Sequence, residues 1–377
     1  MNNAVVVLPT YNEAGNIKAV IEEIFSLQPK IQNWQLSILV VDDFSPDDTA
    51  QIVIKLQKRF KNLALIEGQK KGLGQAYIRG FNYAIKTLKA DVVFEMDADL
   101  SHPVSLIPKM LCKIDKGADF VIGSRYIKGG AIPKDWGLHR KIFSVTANFI
   151  VTLGFMNFKI RDWTSGYRAI KTDFIKKIIP EMTSYSGYVF QIALLDKAVK
   201  NNLSIASIPL KFKERKKGVS KINALEFILS IFMYMLKESS FIKYVMVGLM
   251  GFVVDFGFAY LFISLINLNK PIANSFSAEI AIIFNFFLNN FYSFKHKQIN
   301  GTALIYLKKF MLFNLVSSGS IVIQGLGMFL LLQLIGDSVW NILGFQISSW
   351  IVYKVGIIGF IVIPYSYFMY NKVIWKK

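Results

Sequence analysis

Apolar positions in the first 130 residues follow two alternating rhythms. AVVVLPT (4–10), SILVV (37–41), LALIE (63–67), VVFEM (92–96) and FVIGS (120–124) are short, β-rich runs bounded by turn residues. They predict buried strands. Between them the spacing becomes helical: Ile17, Val20, Ile21 and Ile24 within 13–27, a helix from about Thr49, and another over 74–88. This β-α order predicts an α/β domain with a mainly parallel sheet and helices on both faces. Ligands of such sheets bind beyond the carboxyl ends of the strands. PTYNE, DDFS, DAD and GSR all fall at those ends.

Further on, KIFSVTANFIVTLGF (141–155) and INALEFILSIFMYMLKESS (222–240) are apolar to amphipathic and follow basic residues. Two readings fit, a buried core helix and, given the basic flank, a helix lying in a membrane interface; the membrane domain that follows favours the second. From residue 241 onward, four long apolar runs cover about 242–266, 272–293, 310–335 and 341–370. Each is long enough for a hydrocarbon core of about 30 Å, which takes roughly 20 helical residues. The expected organisation is a soluble domain over 1–221, an interfacial helix and linker over 222–240, and a four-helix transmembrane domain over 241–377.

Composition sharpens this division. Hydrophobic residues make up 53% of the chain and charged residues 18%, a membrane-class balance. Of 44 basic and 25 acidic residues, only 10 and 3 lie beyond residue 240. Lysines 295, 297, 308 and 309 flank the middle loop, and 372, 376 and 377 end the chain. The positive-inside rule therefore places both termini and the middle loop, and with the N-terminus the soluble domain, in the cytoplasm. The opening apolar run is short and lacks a basic n-region, unlike a signal peptide. Tyr244, Tyr292, Trp340 and Tyr370 suit an aromatic belt. Asp255 and Glu279 fall within spans, where ionisable groups are functional candidates. Asn285, Asn289 and Asn290 suit helix–helix hydrogen bonding.

The net charge of +19 suits an anionic surface or anionic substrates. The chain carries no nucleic-acid motif, so no nucleic-acid partner is expected. A single cysteine, Cys112, excludes an intrachain disulfide and a Cys-rich metal site. Three scattered histidines do not suggest a zinc site.

Against this basic background, EMDADLSHP (95–103) gathers Glu95, Asp97 and Asp99 at a strand end. Asp97 and Asp99 point into one crevice and can hold Mg2+ or Mn2+, which also grip substrate phosphates. PTYNE and VVDDFSPD add acids and an aromatic suited to a nucleoside, and GSR adds a cation for a phosphate. GLGQAY (72–77) lacks the third glycine of a dinucleotide loop and reads as a helix start or a plain turn.

VLPTYNE, VVDDFSPDDT, EMDADLSHP, GSRY, DWTSGYRA, GYVFQI and FKERKKGVSK, in this order, resemble the polyprenyl-phosphate glycosyltransferases of glycosyltransferase family 2. The resemblance covers about residues 3–235. It is nearest to members that transfer mannose to dolichyl phosphate, in the archaeal form with a fused four-helix membrane part. It implies a GT-A fold and an inverting, metal-dependent transfer from a nucleotide sugar, GDP-mannose, to a polyprenyl (dolichyl) phosphate. Pro9, Tyr11, Glu13 and Asp42 would hold the nucleoside with Asp43 beside them, while Asp97 and Asp99 would bind metal and diphosphate. Arg125, Arg140, Ser144, Arg215 and Lys221 match positions near the donor or lipid phosphates. Arg140 and Ser144 lie one helical turn apart and can clamp an acceptor phosphate. Two positions depart from the pattern: Ser101 stands where the family has a metal-contacting Gln, and Ala193 replaces an acid. A serine would reach the metal through water.

An acceptor phosphate oxygen is already anionic and needs no general base. The alternatives are a glucosyltransferase using UDP-glucose and a lipid-linked sugar translocase whose soluble part only binds. A processive synthase would carry Q-x-x-R-W, which the sequence lacks. Oligomeric state is not legible from the sequence.

Overall fold

The protein is described by a computed structural model covering all residues except Tyr188, 215–223, Leu343 and Lys377. It divides into two compact units, Met1–Tyr234 and Met235–Lys377.

The first unit begins with β1 (Asn2–Thr10), α1 (Ile17–Phe25), β2 (Trp34–Asp42), α2 (Thr49–Gln57), β3 (Leu63–Glu67), α3 (Leu73–Lys86) and β4 (Val92–Glu95). It continues with α4 (Ile107–Asp115), β5 (Phe120–Ser124), α5 (Leu138–Phe155), β6 (Arg168–Lys171), α6 (Thr172–Met182), α7 (Val189–Lys200) and β7 (Ile205–Pro209). The helix α8 (Ala224–Glu238) follows. The seven strands form one sheet in the order β3-β2-β1-β4-β6-β5-β7. The sheet is parallel except for β6, which runs antiparallel to β4 and β5. The mainly parallel expectation therefore holds, with one reversed strand inserted near the middle.

Strand alternation assigns the two faces. Ala4, Val6, Leu8, Ile38, Val40, Phe94 and Met96 join the apolar stripes of α1, α2 and α4 in one core. The opposite residues, including Val7 and Val41, meet α3, which packs on α6 and α7. Gly80 is what lets α3 approach: a Cβ there would lie 2.6 Å from Val7 Cγ1 and 2.9 Å from Val41 Cγ2. Gly80→Ala is expected to destabilise by about 1–3 kcal/mol through overpacking. A thermal midpoint lowered by several degrees in purified protein checks this.

The stretch 141–155 forms part of α5, which starts earlier, at Leu138. Leu138, Ile142, Val145, Phe149 and Leu153 form an exposed apolar stripe, while Asn148, Val151 and Thr152 turn inward. In α8, Ile228, Leu229, Phe232 and Met233 are exposed, whereas Ile231 and Tyr234 are buried. The Tyr234 hydroxyl donates to Asp196 at 2.7 Å.

The second unit holds four helices long and apolar enough to cross a membrane: Ser240–Leu265, Lys270–Ser293, Ala303–Ile335 and Ser349–Ile374. Two expected boundaries are corrected. The third helix starts at Ala303, not near 310, so Lys308 and Lys309 lie on it. The Lys309 ammonium donates to the Ile374 carbonyl at 2.6 Å. The fourth starts at Ser349, because Val339–Ile342 and Phe345–Ser348 form an antiparallel hairpin with Gly344 at φ +88°. Both hairpin strands are apolar enough to merge with the span in hydropathy. Within the bundle, Asp255 accepts a hydrogen bond from the Ser277 hydroxyl at 2.6 Å. Trp375 stacks on Phe294 with ring centroids 4.5 Å apart, and its indole N–H donates to Asn290 at 2.9 Å.

Candidate active site

The nucleoside-side residues gather where β1 and β2 end together, Pro9 opposite Val41 and Thr10 opposite Asp42. Asp42 is fully buried. Its carboxylate accepts from the Thr10 hydroxyl at 2.8 Å, the Ser45 hydroxyl at 2.6 Å and the Ser45 N–H at 2.7 Å. Asp42 therefore also builds the turn after β2. Asp43 accepts from Arg79 at 2.6 Å. Burial raises the Asp43 pKa, and Arg79 opposes that rise. The Lys70 ammonium lies 3.6 Å from the centre of the Tyr11 ring. Glu13 accepts from the Asn16 amide at 2.9 Å, and its N–H donates to Thr49.

The acid pair sits on the turn leaving β4. Asp97 is about one-third exposed at 34%, whereas Asp99 is 4% exposed. Leu100 between Asp99 and Ser101 has φ +64°, a strained region for a branched residue. That backbone reversal turns the Ser101 N–H onto the Asp99 carboxylate at 3.0 Å, and the Ser101 hydroxyl also contacts it. Ser101 is fully buried, so its hydroxyl braces Asp99.

Sequence reasoning gave His102 no role here. Its Nδ1 accepts the Asp97 N–H at 3.0 Å, its Nε2 lies 3.9 Å from the Asp97 carboxylate, and its ring stacks on Tyr167. The available signal was its place in the same nine-residue stretch. Among the described residues no three His, Cys, Asp or Glu side chains form a metal cluster. Two hard carboxylates at a crevice fit a cation that draws its other ligands from diphosphate and water.

Arg125 follows β5 and is locked by Asp162. Its Nε and a terminal nitrogen reach the two carboxylate oxygens at 2.9 and 2.7 Å, and its backbone N–H adds a bond at 2.9 Å. Burial works against the guanidinium's charge, but Asp162 overrides this and holds its pKa above the ordinary value. Within DWTSGYRA the sequence alone gives Asp162 no role, because its partner Arg125 is distant in the chain. Arg140 stacks over Trp136 at 4.0 Å and pairs with Glu214 at 3.2 Å in an exposed bridge. Ser144 shares a hydroxyl hydrogen bond of 2.6 Å with Tyr126. Arg140 and Ser144 therefore share α5 but have different partners. Arg215 and Lys221 lie outside the described residues. Ala193 is fully buried in α7.

Behind the acid pair, Glu95 and Arg168 face each other, both fully buried, at 3.6 Å. Burial pushes the Glu95 carboxyl up to about 7, with Arg168 opposing the shift. Unlike Asp97 and Asp99, Glu95 carries no role that the sequence motif assigns.

The sheet with acids at its strand ends, followed by four apolar helices, defines a membrane-anchored transferase class on comparison with known proteins. Residues 5–179 match the family model Glycosyl transferase family 2, and residues 243–375 match GtrA/DPMS, transmembrane domain. Dolichol-phosphate mannosyltransferase of Pyrococcus furiosus is 34% identical over 299 residues, 77% of this chain and 80% of that protein. Polyprenol monophosphomannose synthase of Mycolicibacterium smegmatis is 37% identical over 224 residues, 58% of this chain and 80% of that protein. The chain belongs to glycosyltransferase family 2, in the form that carries a GtrA/DPMS membrane domain. It is a glycosyltransferase with a GT-A-type, mainly parallel sheet.

Proposed function

We propose that the protein transfers mannose from GDP-mannose to a polyprenyl (dolichyl) phosphate, with inversion, at the cytoplasmic membrane face. The observation that carries this reading is the acid pair Asp97 and Asp99 on the turn after β4 in a chain whose relatives are named for mannose transfer to such lipids. Pro9, Tyr11, Glu13, Asp42 and Asp43 hold the nucleoside at the ends of β1 and β2. Asp97 and Asp99 hold Mg2+ or Mn2+, which neutralises charge on the leaving diphosphate. Arg125, its direction fixed by Asp162, faces the donor phosphates. Arg140 and Ser144, on the helix with the exposed apolar stripe, orient the acceptor phosphate. Arg215 and Lys221 contribute further positive charge, as the family resemblance implies. The acceptor oxygen attacks as an anion, so the site aligns two anions and offsets their repulsion. The stripes of α5 and α8 lie in the membrane interface, and the four spans anchor the enzyme.

The test uses detergent-purified protein, a polyprenyl phosphate, and radiolabelled GDP-mannose and UDP-glucose in parallel. Lipid-phase label from GDP-mannose, lost with a chelator and restored by Mn2+, is expected. Label from UDP-glucose alone overturns the sugar assignment. Donor binding without any lipid product overturns the transfer and leaves a binding module.

A further inference from the structure

The geometry points to Glu95 and Arg168 as positioning residues that set the acid pair and the Arg125 clamp relative to one another. This rests on the proposed reading of Asp97 and Asp99 as the metal-binding pair. Antiparallel register places Glu95 directly opposite Arg168 on one face of the sheet. Asp97 follows two residues later, about 7 Å along an extended chain. On the other side, Arg168 donates to the Trp163 carbonyl at 3.1 Å and to the Gln191 carbonyl at 2.7 Å. Trp163 adjoins Asp162, whose carboxylate grips Arg125. One guanidinium therefore links the end of β4, just before the acid turn, with the Asp162 loop and α7.

A simple core-stability role explains this pair poorly. Apolar residues of similar volume commonly replace a buried ion pair without loss of stability. The pair is also incompletely bonded. Arg168 Nε lies 3.6 Å from the Glu95 carboxylate, too far for a good hydrogen bond. A half-satisfied polar network in a low-dielectric core is unfavourable. Its position is what distinguishes it: Glu95 lies within electrostatic reach of both Arg168 and Asp97, and Arg168 within reach of Asp162. Removing the charges is expected to leave the sheet intact and to loosen the geometry above it.

The test compares full-length wild-type protein with the double variant Glu95→Leu/Arg168→Met and the single variant Glu95→Gln. Three quantities are measured: the thermal midpoint, Mn2+ affinity in the presence of GDP by paramagnetic resonance of free Mn2+, and kcat with KM. The expected double variant keeps its midpoint, binds Mn2+ about 10–100-fold more weakly, as when support behind metal ligands is lost, and loses kcat while its KM for the lipid acceptor holds. A folded double variant with wild-type Mn2+ affinity and kcat overturns the inference. If the double variant does not fold, Glu95→Gln decides: weakened Mn2+ binding in a folded protein supports it, and wild-type binding overturns it. Loss of fold in both variants overturns it in favour of a stability role. Wild-type protein that binds no Mn2+ with GDP overturns the metal reading itself, and the inference falls with it.

Discussion

Asp99→Ala is expected to lower transfer by about 10³-fold or more, because the proposed mechanism gives Asp99 the charge-neutralising cation to hold. The effect should exceed that of removing any single hydrogen bond at the site. Asp99 is 4% exposed and braced by Ser101, so its carboxylate has little freedom to be replaced by a neighbour or by bulk solvent. The loss of its bonds to Ser101 costs about 1–3 kcal/mol of stability, which a domain of this size tolerates. The measurement is turnover at saturating Mn2+ alongside a melting curve. A folded variant with near-normal turnover would remove the metal from the mechanism.

Asp162→Ala is expected to have the largest effect on stability. It leaves a 10%-exposed Arg125 guanidinium without its carboxylate, and breaking a buried pair in this way costs about 3–5 kcal/mol. That corresponds to a midpoint lowered by roughly 6–20 °C for a unit of this length. Arg125→Met added to Asp162→Ala should recover much of the midpoint, because no charge is then stranded. Transfer should stay low, because the cation proposed to face the donor phosphates is gone. A double variant as unstable as the single one would show that Asp162 supports the loop by other contacts.

What could be read from the sequence was local. Strands β1 to β5 and the helices between them have apolar periods that need no distant partner, and the acids at the strand ends follow from that order. β6 was missed for the converse reason. Its RAIK has two basic residues in four, and Arg168 becomes a core residue only because Glu95, far away in sequence, lies opposite it. Asp162 was hidden in the same way, since its partner Arg125 comes from another loop. Ser101 and His102 were in view within EMDADLSHP, but their bonds to Asp99 and Asp97 depend on the backbone reversal at Leu100. The hairpin before the fourth span was masked by its own apolar residues.

The reversed strand also sets an order of assembly. β5 touches only β6 and β7 in the sheet, and both come later in the chain. On a nascent chain, β3, β2, β1 and β4 can pair as soon as they emerge, bringing Asp42 and the acid turn together. β5, which leads into Arg125, has no place in the sheet until β6 docks between it and β4. Non-local pairing of this kind is the slow part of folding. The step that closes the sheet is thus also the step that brings the acid turn and Arg125 to the same edge of the sheet, and an unfinished chain has only half of the proposed site.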